Sequence, residues 1–212
     1  MSTLISQLIN FGVPVETLVL LLMVPITLTF IAFCRQVIGV RGFGIFPPLI
    51  LTFAFVETKL KYGIVIFFVT IITGTVVRFL LRKLRITYLP RMAIILTFVS
   101  LSVFLVFFVG SYFNIGGLRV ISIFPILVMI LLCERFISAQ MERGPRMAII
   151  LTVETLILAI ISYFIIEWSW LQNILLSWPI LSFVFAIIIN FALGRWTGLR
   201  FSEYFRFKEL LR

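Results

Sequence analysis

The sequence carries one eight-residue stretch twice, and each copy opens a long apolar run. The first copy is Pro90-Arg91-Met92-Ala93-Ile94-Ile95-Leu96-Thr97, and the second, at residues 145–152, is identical letter for letter. A proline at the first helical position loses no hydrogen bond, because its missing N–H would be unpaired there. The arginine beside it can extend to the lipid headgroups. We therefore predict that both copies begin membrane helices.

Composition indicates an integral membrane protein. Apolar residues make up 62% of the 212 residues and charged residues 12%, whereas soluble domains are about a quarter charged. The sequence has no His and no Asp, which excludes His-based catalysis, His-ligated metals and aspartyl dyads. We expect no catalytic residue, no cofactor and no metal ion. The net charge of +10 lies in short turns between apolar runs, so we expect no nucleic-acid partner.

Seven apolar runs predict membrane spans. They cover residues 13–33, 43–57, 62–81, 91–110, 119–136, 147–166 and 176–194. The second is the weakest, because it is short and contains Pro47-Pro48, and a run of that length could instead be re-entrant. We expect one domain over residues 1–212, an all-α bundle of seven transmembrane helices. The octapeptide offset of 55 residues equals one helical hairpin and suggests that spans 4–5 and 6–7 are duplicated.

Charge orients the predicted bundle. Alternate turns and the C-terminal tail place 15 of the 18 Lys and Arg residues on one side and three on the other. Cytoplasmic turns carry such an excess, so we expect the N-terminus outside and the C-terminus in the cytoplasm. The predicted outer turn between spans six and seven holds Trp168, Trp170 and Trp178. Tryptophan is enriched at membrane–water interfaces. Residues 195–212 are expected to form a cytoplasmic interfacial tail.

The two octapeptide helices differ soon after the repeat ends, where Glu154 takes the place of Val99. Helical rise places Glu154 about 12 Å into a hydrocarbon layer about 30 Å thick, where a carboxylate is costly. Asn190 and Arg78 approach from the same side, about 8 Å and 6 Å deep. These three side chains are a candidate polar site for a proton or a substrate. The alternative is a structural hydrogen bond between helices.

Seven short motifs follow one another along the chain. They are FGVPVET at 11–17, RQVIG at 35–39, YLPRM at 88–92, SIFPIL at 122–127, ERF at 134–136, LTVETL at 151–156 and GRWTGL at 194–199. In order and number they resemble a bacterial membrane family, the seven-transmembrane-helix region usually fused to an inactive transglutaminase. The resemblance covers residues from about 10 to 207.

The resemblance implies a non-enzymatic anchor or scaffold in the bacterial inner (plasma) membrane. It further implies an extracytoplasmic transglutaminase-like domain that lacks catalysis, a cytoplasmic ATP-grasp ligase and an aspartyl-type protease, in a predicted peptide-modification system. The chain begins about ten residues before its first span, so we expect the globular domain to lie outside this polypeptide.

Two functions from different classes remain open. As a scaffold, the chain would dock cytoplasmic partners through its basic third turn and its tail. The candidate docking residues are Arg91, Arg146, Arg195, Arg200, Glu203 and Arg206. As a small-solute or peptide transporter, it would use Glu154 as the coupling group.

Overall fold

All regular secondary structure in the described part of the chain is helical, which confirms the all-α prediction. The computed structural model describes residues 3–113 and 122–195. Its helices are α1 (Thr3–Asn10), α2 (Val15–Phe33), α3 (Phe46–Thr58), α4 (Leu60–Leu81), α5 (Tyr88–Tyr112), α6 (Ile123–Glu142), α7 (Pro145–Glu167), α8 (Ser169–Ser177) and α9 (Pro179–Gly194).

Helix length separates the seven predicted spans into three kinds. Five helices, α2 and α4 to α7, are long and apolar enough to cross a membrane. The α8–α9 pair, bent by 106°, would form either one broken span or a re-entrant loop. The remaining predicted span corresponds to α3, whose 13 residues extend about 20 Å, against a hydrocarbon layer of about 30 Å. The weakest predicted span is therefore the shortest of the corresponding helices.

A short helix replaces the predicted turn between spans six and seven. α8 lies between Trp168 and Trp178, and α9 begins directly after the bend. Leu171, Ile174 and Leu175 recur at the spacing of one helix face, and Leu175 is buried. The spacing of apolar residues in 169–177 therefore indicates a helix, whereas the tryptophans indicate only a membrane interface.

Contacts divide the chain into two compact units, Met1–Leu49 with Ile157–Arg212, and Ile50–Leu156. In the first unit, α2 packs against α8 and α9. α2 continues into a five-residue π-helical turn, Cys34–Ile38, which ends at Gly39. The φ of Gly39 is 91°, in a left-handed region that glycine adopts without steric cost.

In the second unit, α4 packs against both α5 and α6. A Cβ atom on Gly74 of α4 would lie 2.5 Å from Cys133 Sγ of α6, so this contact requires glycine. Nearby, Cys133 Sγ donates to the Thr70 carbonyl over 3.3 Å. Small residues let helix backbones approach closely in membranes. The resulting close contact brings polar side chains together near the C-terminal ends of α4 and α6.

Candidate functional site

Arg78 of α4 is hydrogen-bonded to Gln140 of α6, a residue that the sequence analysis did not single out. Arg78 Nη1 donates to Gln140 Oε1 over 2.6 Å, and Nη2 donates to the Gln140 backbone carbonyl over 3.2 Å. The Gln140 amide donates in turn to Thr75 Oγ1 over 3.3 Å. Gln140 is only 3% exposed, and its amide is satisfied by Arg78 and Thr75 of α4 rather than by solvent.

The predicted end of span five explains why Gln140 was missed. The predicted span ends at residue 136, after the charged pair Glu134-Arg135, whereas α6 continues to Glu142. Arg135 is exposed and Glu134 is half-buried, so these charges lie on the helix without ending it. Gln140 lies four residues beyond this predicted end, outside the span. The signal available was an amide spaced for the same face as buried Phe136 and Ile137.

The turn between α4 and α5 is held by side chains that follow it. Arg91 Nη2 donates to the Ile86 carbonyl over 2.9 Å and to the Leu84 carbonyl over 3.3 Å. Tyr88 Oη lies 3.0 Å from Ser138 Oγ of α6, a hydrogen bond that ties the start of α5 to that helix. Arg91 is half-buried, so the first octapeptide uses its arginine inside the fold.

Exposed cations gather at this end of the second unit. Because Arg78 and Gln140 lie near the ends of their helices, the turns after α4 and α6 lie at the same end of the unit. The basic face consists of Arg82, Lys83, Arg85, Arg143 and Arg146, all exposed. One exposed carboxylate, Glu142, lies among them. The net charge of this face is strongly positive.

Asn190 forms an interhelical bond within the first unit. Its Nδ2 donates to Thr29 Oγ1 of α2 over 2.7 Å and to the Ala186 carbonyl over 2.8 Å. Thr29 Oγ1 donates to the Pro25 carbonyl over 2.7 Å. Polar side chains often join helices in this way inside a membrane. Thr29, like Gln140, is a partner that the sequence did not identify.

The structure assigns Arg78 and Asn190 to different partners. Their printed hydrogen bonds reach Gln140 and Thr29 respectively. Glu154 is half-buried in α7 and takes part in a polar or electrostatic interaction of its own. Its counterpart Val99 is fully buried. A polar site that combines all three predicted residues stays a prediction.

The candidate docking residues differ in their surroundings. Arg146 is exposed, and so is Arg195, whose guanidinium lies 4.5 Å from the centre of the Phe191 ring. Arg200, Glu203 and Arg206 lie outside the described residues. Within residues 3–113 and 122–195, no three His, Cys, Asp or Glu side chains are grouped to hold a metal ion.

Comparison with known proteins agrees with this architecture. A family model for seven transmembrane helices usually fused to an inactive transglutaminase matches residues 5–211. No curated protein and no solved structure gives a significant match. The matched region contains all the long apolar helices and both copies of the octapeptide. The chain therefore belongs to the family of seven-transmembrane-helix regions usually fused to an inactive transglutaminase.

Proposed function

We propose that this chain is a non-enzymatic membrane scaffold of the bacterial inner membrane. It would tether an extracytoplasmic transglutaminase-like domain and dock cytoplasmic partners, among them an ATP-grasp ligase of a peptide-modification system. Family membership supports the first role, because members are usually fused to an inactive transglutaminase. The second role is supported by the basic face.

The observation that carries the docking role is the fixed geometry of that basic face. Arg91 holds two carbonyls of the turn that presents Arg82, Lys83 and Arg85. A surface that is ordered before binding loses less conformational entropy when a partner arrives. Complementary charge raises the rate of encounter and favours acidic partners. An acidic surface on the ligase would fit this face.

The proposed orientation puts the basic face in the cytoplasm. It is supported by the charge asymmetry of the whole sequence, since 15 of its 18 Lys and Arg residues fall on one predicted side. α4 then crosses the membrane between Lys61, at its outer start, and Lys83, after its inner end.

Charge reversal tests docking with a matched control. The test variant is Arg82→Glu with Lys83→Glu, and the control is Lys59→Glu with Lys61→Glu; both change the net charge by the same amount. All four positions are exposed. We expect co-purification of the ligase with the full chain from membranes to fall about tenfold or more in the test variant and to persist in the control. Equal recovery in both variants would contradict docking through the basic face.

The transporter remains the second candidate, because Glu154 is a half-buried carboxylate inside a candidate span. A coupling carboxylate must change its protonation during transport, and glutamine cannot. Transport predicts pH-dependent solute uptake into vesicles that Glu154→Gln abolishes and Glu57→Gln, at the exposed end of α3, leaves intact. The scaffold predicts no uptake by the wild-type chain.

A further inference from the structure

A cavity of about 600 Å³ lies between α2, α8 and α9. This volume falls within the range of about 300–1,000 Å³ typical of ligand pockets. All of its lining residues belong to the first unit. The wall is almost entirely apolar, with aromatic rings from Phe30, Phe33, Trp178 and Phe185.

The two hydroxyl groups in the wall are already used. Thr29 Oγ1 donates to the Pro25 carbonyl and accepts from Asn190. Ser182 Oγ donates to the Pro179 carbonyl over 2.6 Å. Neither hydroxyl has a hydrogen left to donate to a ligand. A wall with no charged side chain and with both hydroxyl groups engaged suits hydrocarbon and disfavours a charged or strongly polar group.

The exposed part of the lining indicates where that hydrocarbon comes from. Three lining residues, Leu181, Phe185 and Trp178, are each more than 60% exposed. They belong to a helix pair apolar enough to lie in a membrane, where their exposed surface would meet lipid chains. An acyl chain can enter sideways from the bilayer without passing through water.

We propose that this cavity is a binding site for one acyl chain of a membrane phospholipid. A chain in the bilayer is already surrounded by hydrocarbon, so the hydrophobic effect does not favour its transfer. Preference for the cavity arises instead from dispersion contacts between the acyl chain and the preformed wall. The wall atoms lack these contacts while the cavity is empty. The site is therefore expected to be selective by shape and to saturate, unlike the lipid layer around the whole protein.

Trp178 in the wall provides a direct readout. The chain would be reconstituted in bilayers that mix a straight-chain phospholipid brominated on its acyl chain with an unbrominated phospholipid of the same headgroup, whose methyl-branched acyl chains fit the cavity less well. One variant keeps Trp178 as its only tryptophan, and another keeps only Trp170, with phenylalanine at the other positions. Trp170 is similarly exposed, 62% against 66% for Trp178, but does not line the cavity.

A preferred site would quench Trp178 at a lower brominated fraction than Trp170. Contacts of about 0.1–0.2 kcal/mol per atom pair, summed over the chain, make a shift on the order of tenfold reasonable. Coincident quenching curves for the two tryptophans would overturn the proposal, because they would show only exchange with bulk lipid.

A blocking variant checks that the cavity causes the difference. Ile174→Phe enlarges a half-exposed side chain in the wall, whereas Ile180→Phe makes the same change at an exposed position outside it. We expect Ile174→Phe to move the Trp178 curve onto that of Trp170 and Ile180→Phe to leave it unchanged. A Trp178 curve that responds to neither variant, or equally to both, would contradict binding in this cavity.

Discussion

Replacing Gly74 by alanine tests the helix contact that places the candidate site. An ideal Cβ at this position lies 2.5 Å from Cys133 Sγ and 3.0 Å from Ile137 Cδ1. Both of those residues are fully buried, so neither side chain can turn into open space. Overpacking of a close contact costs about 1–3 kcal/mol, and alanine regains up to about 1 kcal/mol of helix propensity. We expect a net loss of about 1–2 kcal/mol in the free energy of unfolding.

The loss can be measured by unfolding in mixed micelles with increasing sodium dodecyl sulfate. Gly194→Ala is the matched control, since its Cβ would have no atom within 4 Å, and we expect it to be neutral or slightly stabilising. Combining Gly74→Ala with Cys133→Ala removes the nearest clashing atom and should recover about half of the loss. If Gly74→Ala were as harmless as Gly194→Ala, the close α4–α6 contact would be refuted.

Three further substitutions test individual polar contacts by the same unfolding assay. Gln140→Leu leaves Arg78 with only the backbone carbonyl of residue 140 as a partner, and we expect a loss of about 1–3 kcal/mol in the free energy of unfolding. A double-mutant cycle with Arg78→Met should assign most of this loss to the pair. Additive losses in the two single variants would contradict the hydrogen bond. Arg91→Met should destabilise the chain by about 1 kcal/mol or more, because the Ile86 and Leu84 carbonyls lose a charged donor, whereas its repeat counterpart Arg146→Met should be within about 0.5 kcal/mol of wild type. Equal effects at the two repeat positions would refute a stabilising role for the Arg91 hydrogen bonds. Asn190→Leu should cost about 0.6 kcal/mol and at most about 1.7, the range measured for hydrogen bonds inside membranes; a stabilising effect would show that the bond to Thr29 is not a net contributor.

Apolar runs predicted most of the long helices well, because a helix of about 20 apolar residues is the length that crosses the hydrocarbon layer of a membrane. The sixth predicted span, 147–166, differs from α7 by two residues at its start and one at its end. α3 is harder to interpret, since its 13 residues satisfy the composition of a span but not its length. The π-helical turn after α2 has no recognised sequence signal, although the glycine that ends it, Gly39, is a common residue at such a position.

The polar contacts were less accessible to sequence reasoning. Arg78 was recognised as an unusual charge inside a span, but its partner lies 62 residues away, and helix periodicity does not specify which helices pack together. Arg91 and Arg146 occupy identical octapeptides and yet have different surroundings. Only the turn before the first copy supplies carbonyls within reach, so identity of sequence did not imply identity of role.

The orientation of α4 is the most direct test of the proposed scaffold, because docking requires the basic face to be in the cytoplasm. Lys61→Cys and Lys83→Cys place a thiol at either end of this helix, both at exposed positions. The native cysteines, Cys34 and Cys133, are buried, so the wild-type chain serves as the unlabelled control. In intact cells, a membrane-impermeant maleimide should label Lys61→Cys at once and Lys83→Cys only after the membrane is permeabilised. Labelling of Lys83→Cys in intact cells would contradict the account.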